Sequence, residues 1–165
     1  MRVKFKKLVP EAKIPFKKYD SDFCYDMYAT SIDDLGNGVY RYHTGIGLQI
    51  ERGKFLIGKI EDTEVSLNFA GMRNRLLLDI DGRPRSSIYK TGMVLSNCEA
   101  TIDEDYINEI CFIFYHVIPT LPKYEVGDRI AQIKIGFTVP CEFVEADELE
   151  ERTRGMNGFG SSGNK

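Results

Sequence analysis

The sequence has no C-x-x-C spacing, no G-x-x-x-x-G-K phosphate loop, no apolar run approaching a membrane span and no long stretch of helical periodicity. Each absence removes a class. Four cysteines, Cys24, Cys98, Cys111 and Cys141, stand far apart, with only His43 and His116 to assist them. Buried free thiols are the expected reading, with a zinc site or disulfide framework as the alternative. The N-terminal stretch is basic through Arg2, Lys4, Lys6, Lys7, Lys13, Lys17 and Lys18, but no apolar core follows as in a signal peptide. Nothing reaches the roughly 18 apolar residues of a spanning helix. A cytoplasmic protein without membrane contact is expected. The 22 Lys and Arg are outnumbered by 25 Asp and Glu, for a net charge of -3. Such a chain has no global cationic field with which to wrap a nucleic-acid backbone, so no direct nucleic-acid binding is expected. A small phosphorylated ligand needs only a few local cations.

What is present is strand signal. A length of 165 residues suits one domain with an ordinary core. Alternation marks strands at 3–8, 40–50, 109–117, 130–137 and 141–144. Turn chemistry falls at Gly36-Asn37-Gly38, Arg52-Gly53, Asp81-Gly82, Pro122 and Gly127-Asp128. Many short strands with frequent turns predict an all-β sandwich, jelly roll or barrel. Residues 146–154 read as a solvated connector with one or two helical turns at most. The compositional break comes at the end, where Gly155, Gly158, Gly160, Gly163, Ser161 and Ser162 crowd the tail.

Four segments carry candidate chemistry. The tail Arg154-Gly155-Met156-Asn157-Gly158-Phe159-Gly160-Ser161-Ser162-Gly163 combines a fixed cation, hydroxyls and glycines whose amides can approach an anion, with Phe159 as a stacking face. In Gly82-Arg83-Pro84-Arg85-Ser86-Ser87 two guanidinium groups flank a rigid residue and two hydroxyls follow, which suits oxyanions and equally suits a basic surface turn. Thr101-Ile102-Asp103-Glu104-Asp105-Tyr106 offers a water-activating carboxylate or an Asp-rich hairpin turn. Tyr124-Glu125-Val126-Gly127-Asp128-Arg129-Ile130-Ala131-Gln132-Ile133 is a turn entering an apolar strand with one amide, which must face solvent or find a specific partner.

In order, and with a weaker match at Asp22-Phe23-Cys24-Tyr25-Asp26-Met27-Tyr28-Ala29, these segments resemble the successive motifs of the trimeric dUTP pyrophosphatase (dUTPase) family. The resemblance implies a jelly-roll-like homotrimer with sites at subunit junctions. It implies a domain over 1–153, with 58–78 as an insertion, and a Gly-rich catalytic tail over 154–165. The activity implied is Mg2+-dependent hydrolysis of dUTP to dUMP and pyrophosphate, which keeps uracil out of DNA and supplies dUMP for dTMP synthesis. By the same resemblance Asp103 orients the attacking water, Tyr106 lies under the deoxyribose and Asn97 belongs to the hairpin that reads uracil. Arg85, Ser86, Ser87 and Gln132 serve the phosphate chain. Arg154, Gly160, Ser161 and Ser162 close on it, Phe159 stacks over the base, and Asp26 reaches the metal through water.

The chain departs from the family pattern at Phe23-Cys24, at Ala100 where glycine is usual, at Ile107-Asn108 and at Asn157. The Ala100 methyl bears on a hairpin that hugs the base. dCTP deaminases are similar in fold but carry an Arg soon after the Ser pair and a Glu on a later strand; here Ile88-Tyr89-Lys90 and Ile113 stand at those places. A non-catalytic binder that keeps the fold would not need Asp103 as a base.

Overall fold

The computed structural model describes residues 2–51, 54–60, 63–68, 77–138, 141–148 and 150. Among these, regular structure is strand throughout, apart from one 3-10 turn at Ser86–Lys90. The strands are β1 (Arg2–Lys7), β2 (Tyr25–Tyr28), β3 (Ser31–Gly36), β4 (Val39–Glu51), β5 (Lys54–Ile60), β6 (Thr63–Asn68), β7 (Leu77–Pro84), β8 (Met93–Leu95), β9 (Ala100–Ile102), β10 (Glu109–His116) and β11 (Arg129–Thr138). One sheet runs β1-β4-β10-β8, with β3 paired to the first half of β4. A second sheet runs β2-β11-β7-β9, and β5-β6 form a two-stranded sheet of their own. That hairpin overlaps the segment 58–78 expected as an insertion.

The two larger sheets share one core because their alternation points inward from both sides. Tyr42, Ile46, Leu48, Ile110, Phe112 and Phe114 come from the first sheet, and Met27, Leu78, Ile80, Ile130 and Ile133 from the second. Phe114 meets Tyr42 and Tyr124 edge to face at centroid distances of 5.5 and 5.6 Å. Each such side chain withdrawn from water stabilises the fold by roughly 1.5–3 kcal/mol before entropy is counted. This is the all-β architecture that the strand pattern predicts, in the jelly-roll-like form that the resemblance implies.

Turn chemistry was legible at Asn37-Gly38, a two-residue connection of β3 to β4 with φ of 54° and 75°, the left-handed pair that a tight hairpin requires. Gly127, at φ 92°, turns the chain into β11. Asp81-Gly82 is different: both lie inside β7. Gly82 is there for close approach, since a Cβ on it would meet the Phe112 ring at 2.7 Å and the Ala100 methyl at 3.2 Å. Residues 141–144, expected as a strand, join no sheet, and Phe143 and Val144 are 95% and 77% exposed. Alternation records what a strand can bury, and no edge among the described residues receives this one. The turn Arg52-Gly53 lies outside the described residues.

Candidate active site

Asp103 follows β9 directly and opens a tight turn, closed by the Tyr106 amide donating to the Asp103 carbonyl at 3.1 Å. Of the two readings of this segment, the backbone takes the turn, and the turn leaves the Asp103 carboxylate exposed. Among the described residues that carboxylate has no hydrogen-bond or ion-pair partner. The Tyr106 hydroxyl donates to the Glu109 carbonyl at 2.9 Å, which ties a half-exposed ring to the start of β10. Asn97 lies on the connection from β8 to β9, its Oδ1 accepting from Ser96 Oγ at 3.2 Å. Asn97, Asp103 and Tyr106 line one cleft of about 440 Å³, together with Ala100, Thr101 and the outward side chains of β4 and β10.

The hairpin that carries these residues is anchored from beneath. Arg83 Nη2 pairs with Glu99, and also with Asp81 Oδ2 at 3.5 Å, while Thr101 Oγ1 donates to Asp81 Oδ1 at 3.2 Å. The Ala100 methyl lies opposite Gly82 in the β7–β9 ladder. The extra carbon at position 100 is thus accommodated by the missing carbon at position 82.

Asp26, Arg85, Ser86 and Gln132 gather at a separate cleft of about 400 Å³, with Arg129, Lys17 and Lys18 around it. Asp26 Oδ1 accepts from Arg85 Nε at 2.9 Å and Oδ2 from Arg129 Nη1 at 3.0 Å. Arg85 Nη1 also donates to Ser87 Oγ at 3.2 Å and to the Arg129 carbonyl at 3.4 Å. Gln132 has found its specific partner, its Nε2 donating to the Pro84 carbonyl at 3.2 Å, and its carbonyl oxygen is the end left for other contacts. Ser86 starts the 3-10 turn and is exposed, whereas Ser87 is half-buried beneath Arg85.

One carboxylate with two guanidinium partners cannot hold Mg2+ by itself. It keeps lone pairs for a metal-bound water, so the donor set fits a cation that arrives mostly ligated by phosphate. Phe23, a departure from the family pattern, is 85% exposed at the rim of this cleft.

The predicted residues that are described therefore fall into separate groups on one chain. Asn97, Asp103 and Tyr106 share one cleft; Asp26, Arg85, Ser86 and Gln132 share another; Ser87 borders a third recess beside Lys90 and Lys123. Arg154, Phe159, Gly160, Ser161 and Ser162 lie outside the described residues. Two features escaped sequence reasoning. Arg129 stood in a quoted motif without a role, although a guanidinium directly after Gly127-Asp128 was a readable signal. The other is a polar cluster on the outward face of β3, β4 and β10, whose members are up to 78 positions apart (33 against 111).

In that cluster His43 Nε2 bonds Asp33 Oδ2 at 2.9 Å and Nδ1 bonds Glu109 Oε2 at 2.8 Å. Carboxylates only accept, so both ring nitrogens must donate and the imidazolium is favoured. The Asp33 bond first, then that of Glu109, raises the His43 pKa. Burial resists ionisation of Glu109, but bonds from His43 and the Gly45 amide outweigh it and leave its pKa lowered. Burial, reinforced by the Glu109 charge, pushes the Cys111 thiol up to about 12. The cysteines are free as expected, but none is fully buried: Cys24 and Cys111 are intermediate, Cys98 and Cys141 exposed. No helix among the described residues is long and apolar enough to cross a membrane.

A family model described as dUTPase matches residues 83–163. A deoxyuridine 5'-triphosphate nucleotidohydrolase of Clostridium novyi is 32% identical, covering 99% of each chain. One from Helicobacter pylori is 30% identical, covering 99% of this chain and 97% of its own. Among solved structures, a glycine-to-serine variant of the Staphylococcus bacteriophage 80alpha dUTPase, described as carrying dUpNHpp, superposes with a TM-score of 0.72 at 20% identity over 98% of both chains. An aspartate-to-asparagine variant of the dUTPase from phage phi11 of S. aureus, described in terms of a structural Mg(II) ion, gives 0.65 at 15% identity over 92% of this chain and 100% of its own. On full-length similarity at this level, and on the fold described above, the chain belongs to the dUTPase family.

Proposed function

We propose that the protein hydrolyses dUTP to dUMP and pyrophosphate as a homotrimer, with Mg2+ bound along with the substrate. The observation that carries this reading is the division of polar residues between two clefts of one chain. The cleft of Asn97, Asp103 and Tyr106 has a carboxylate and an aromatic ring, and its cations, Arg41 and His43, are already paired with Asp33 and Glu109. The cleft of Arg85, Ser86 and Gln132 has cations and hydroxyls, its carboxylates being Asp26, paired with Arg85 and Arg129, and Asp22, bonded to the Tyr19 amide. Neither is a complete site for a nucleoside triphosphate, and apposition of copies around a threefold axis would complete both. The nucleotidohydrolase names of the relatives and the dUpNHpp of the phage structure support the same substrate.

In this reading Asn97 and the backbone around it read the uracil edge by fixed hydrogen bonds. Tyr106, held by its bond to Glu109, packs under the deoxyribose. The unpaired Asp103 takes the proton of a water that attacks the α-phosphorus, and pyrophosphate leaves. Arg85, Ser86 and Gln132 of another copy hold the phosphate chain, Ser87 supports Arg85, and Asp26 reaches the magnesium through water. When bound, that ion offsets phosphate charge and fixes the chain's conformation. Residues 154–165 form the catalytic tail after a domain over 1–153: Arg154, Gly160, Ser161 and Ser162 close on the phosphates and Phe159 stacks over the base, which excludes bulk water. The protein works in the cytoplasm, where it keeps uracil out of DNA and provides dUMP for dTMP synthesis.

The test is incubation of purified protein with dUTP, dCTP, dTTP or UTP, with and without magnesium, while dUMP and pyrophosphate are resolved. Magnesium-dependent dUMP from dUTP alone is expected, with a rate lower by roughly 10²–10⁴ in Asp103→Asn. Binding of dUTP without turnover by the wild type would overturn the reading.

A further inference from the structure

We infer that His43, Glu109 and Cys111 form a site for a divalent cation of the zinc class, distinct from the phosphate-borne magnesium and independent of the dUTP reading. One nitrogen, one oxygen and one sulfur ligand atom from these three residues lie within 4.8 Å of one another. That mixed donor set suits zinc and its borderline neighbours and ill suits Mg2+, which prefers oxygen alone.

The fold builds the cluster for a definite reason. His43 and Cys111 are partners across the β4–β10 ladder, and Glu109 stands two residues before Cys111, on the same outward face. The register irregularity between Glu109 and Cys111 lets both lean toward one imidazole. A group that orients the imidazole is present as well. Asp33, from β3, accepts from His43 Nε2 at 2.9 Å and turns Nδ1 toward Glu109 Oε2 at 2.8 Å and Cys111 Sγ at 3.5 Å. A carboxylate on the far nitrogen is how ligating histidines are oriented in metal proteins.

In the metal-free chain the Nδ1 proton stands where the ion would stand. On entry the ion replaces that proton and the thiol proton, and both pass to solvent. The thiolate and Glu109 then carry two negative charges against the ion's two positive ones. Asp33 and Arg41, 3.8 Å apart, offset each other beside the site. The three ligands line the same cleft as Asn97, Asp103 and Tyr106, so the fourth ligand is a water or ligand atom from that cleft.

The test is titration of the full chain with Co2+ in excess Mg2+, followed by thiolate-to-cobalt charge-transfer absorption, with Zn2+ as competitor and circular dichroism as the folding control. One equivalent per chain is expected to produce the band, and zinc to abolish it. Cys111→Ser removes the band, Cys141→Ser leaves it, and Asp33→Asn weakens zinc binding by roughly 10–100-fold. His43→Gln provides a second, independent variant should Cys111→Ser not fold. Absence of a thiolate band in the wild type, its survival in Cys111→Ser, or wild-type affinity in His43→Gln would each overturn the site. Since the readout is spectroscopic, it stands or fails whatever the protein does with dUTP.

Discussion

Asp26 holds two guanidinium groups at once, which makes it structural before it is functional. Its side chain is 16% exposed and that of Arg85 22%, so truncation leaves a half-buried guanidinium with no anionic partner. Asp26→Ala is expected to lower stability by about 1–3 kcal/mol and to weaken the magnesium dependence of turnover. Urea unfolding and a magnesium titration of the rate check the two parts separately. His43 behaves differently, because its charge is conditional. In chelator-treated protein its stabilising contribution is fully present below the ordinary imidazole value of 6.5 and is lost as pH rises through its higher folded value. Asp33 and Glu109, held below 3.8 and 4.5, contribute above those values and lose the contribution as pH falls through their lower folded ones. The clamp therefore acts most strongly between 4.5 and 6.5. The difference in thermal midpoint between wild type and His43→Asn should be larger inside that window than at alkaline pH. An equal difference at both would mean that the bonds do not depend on the imidazolium.

At the scale of elements, the controlling contact is between β7 and β9, where Gly82 faces Ala100. The Ala100 methyl occupies the space that the absent Cβ of Gly82 leaves. Gly82→Ala would put a carbon 2.7 Å from the Phe112 ring, and such overpacking costs about 1–3 kcal/mol. Because β9 leads directly into Asp103, the same change should lower kcat as well as the urea midpoint. Loss of stability with kcat intact would show that the turn at 103–106 is positioned from β10 instead, through the Tyr106–Glu109 bond. Sequence reading found the long strands β4, β10 and β11 from alternation, because one face of each is buried along most of its length. It missed β2, β8 and β9, which have three or four residues each and too few positions for a period to show, and it also missed the longer β3 and β7. It placed a turn at Gly82 because glycine permits a turn and a close approach equally well, and only the neighbouring strand distinguishes the two.

For the whole molecule, the separation of the two clefts makes one prediction that a monomeric enzyme could not satisfy. Asp103→Asn protein and protein truncated after Thr153 should each be inactive alone, yet regain dUTP hydrolysis after unfolding and refolding together. In mixed assemblies an intact Asp103 and an intact tail can then meet at one junction. Failure of the mixture to recover activity, with mixed oligomers shown by mass, would place tail and carboxylate on the same chain.

The sequence by itself determined the strand-rich architecture, the Asn37-Gly38 hairpin and the ordered series of motifs, because these rest on local periodicity, local backbone preference and residue order. The tertiary structure alone decided that Asp103 and the Arg85, Ser86 and Gln132 group lie in separate clefts, that Asp26 is bound to Arg85 and Arg129, and that His43, Glu109 and Cys111 converge. Those facts depend on which strands pair and in what register, and register is set by burial across the whole sandwich rather than by any neighbour along the chain.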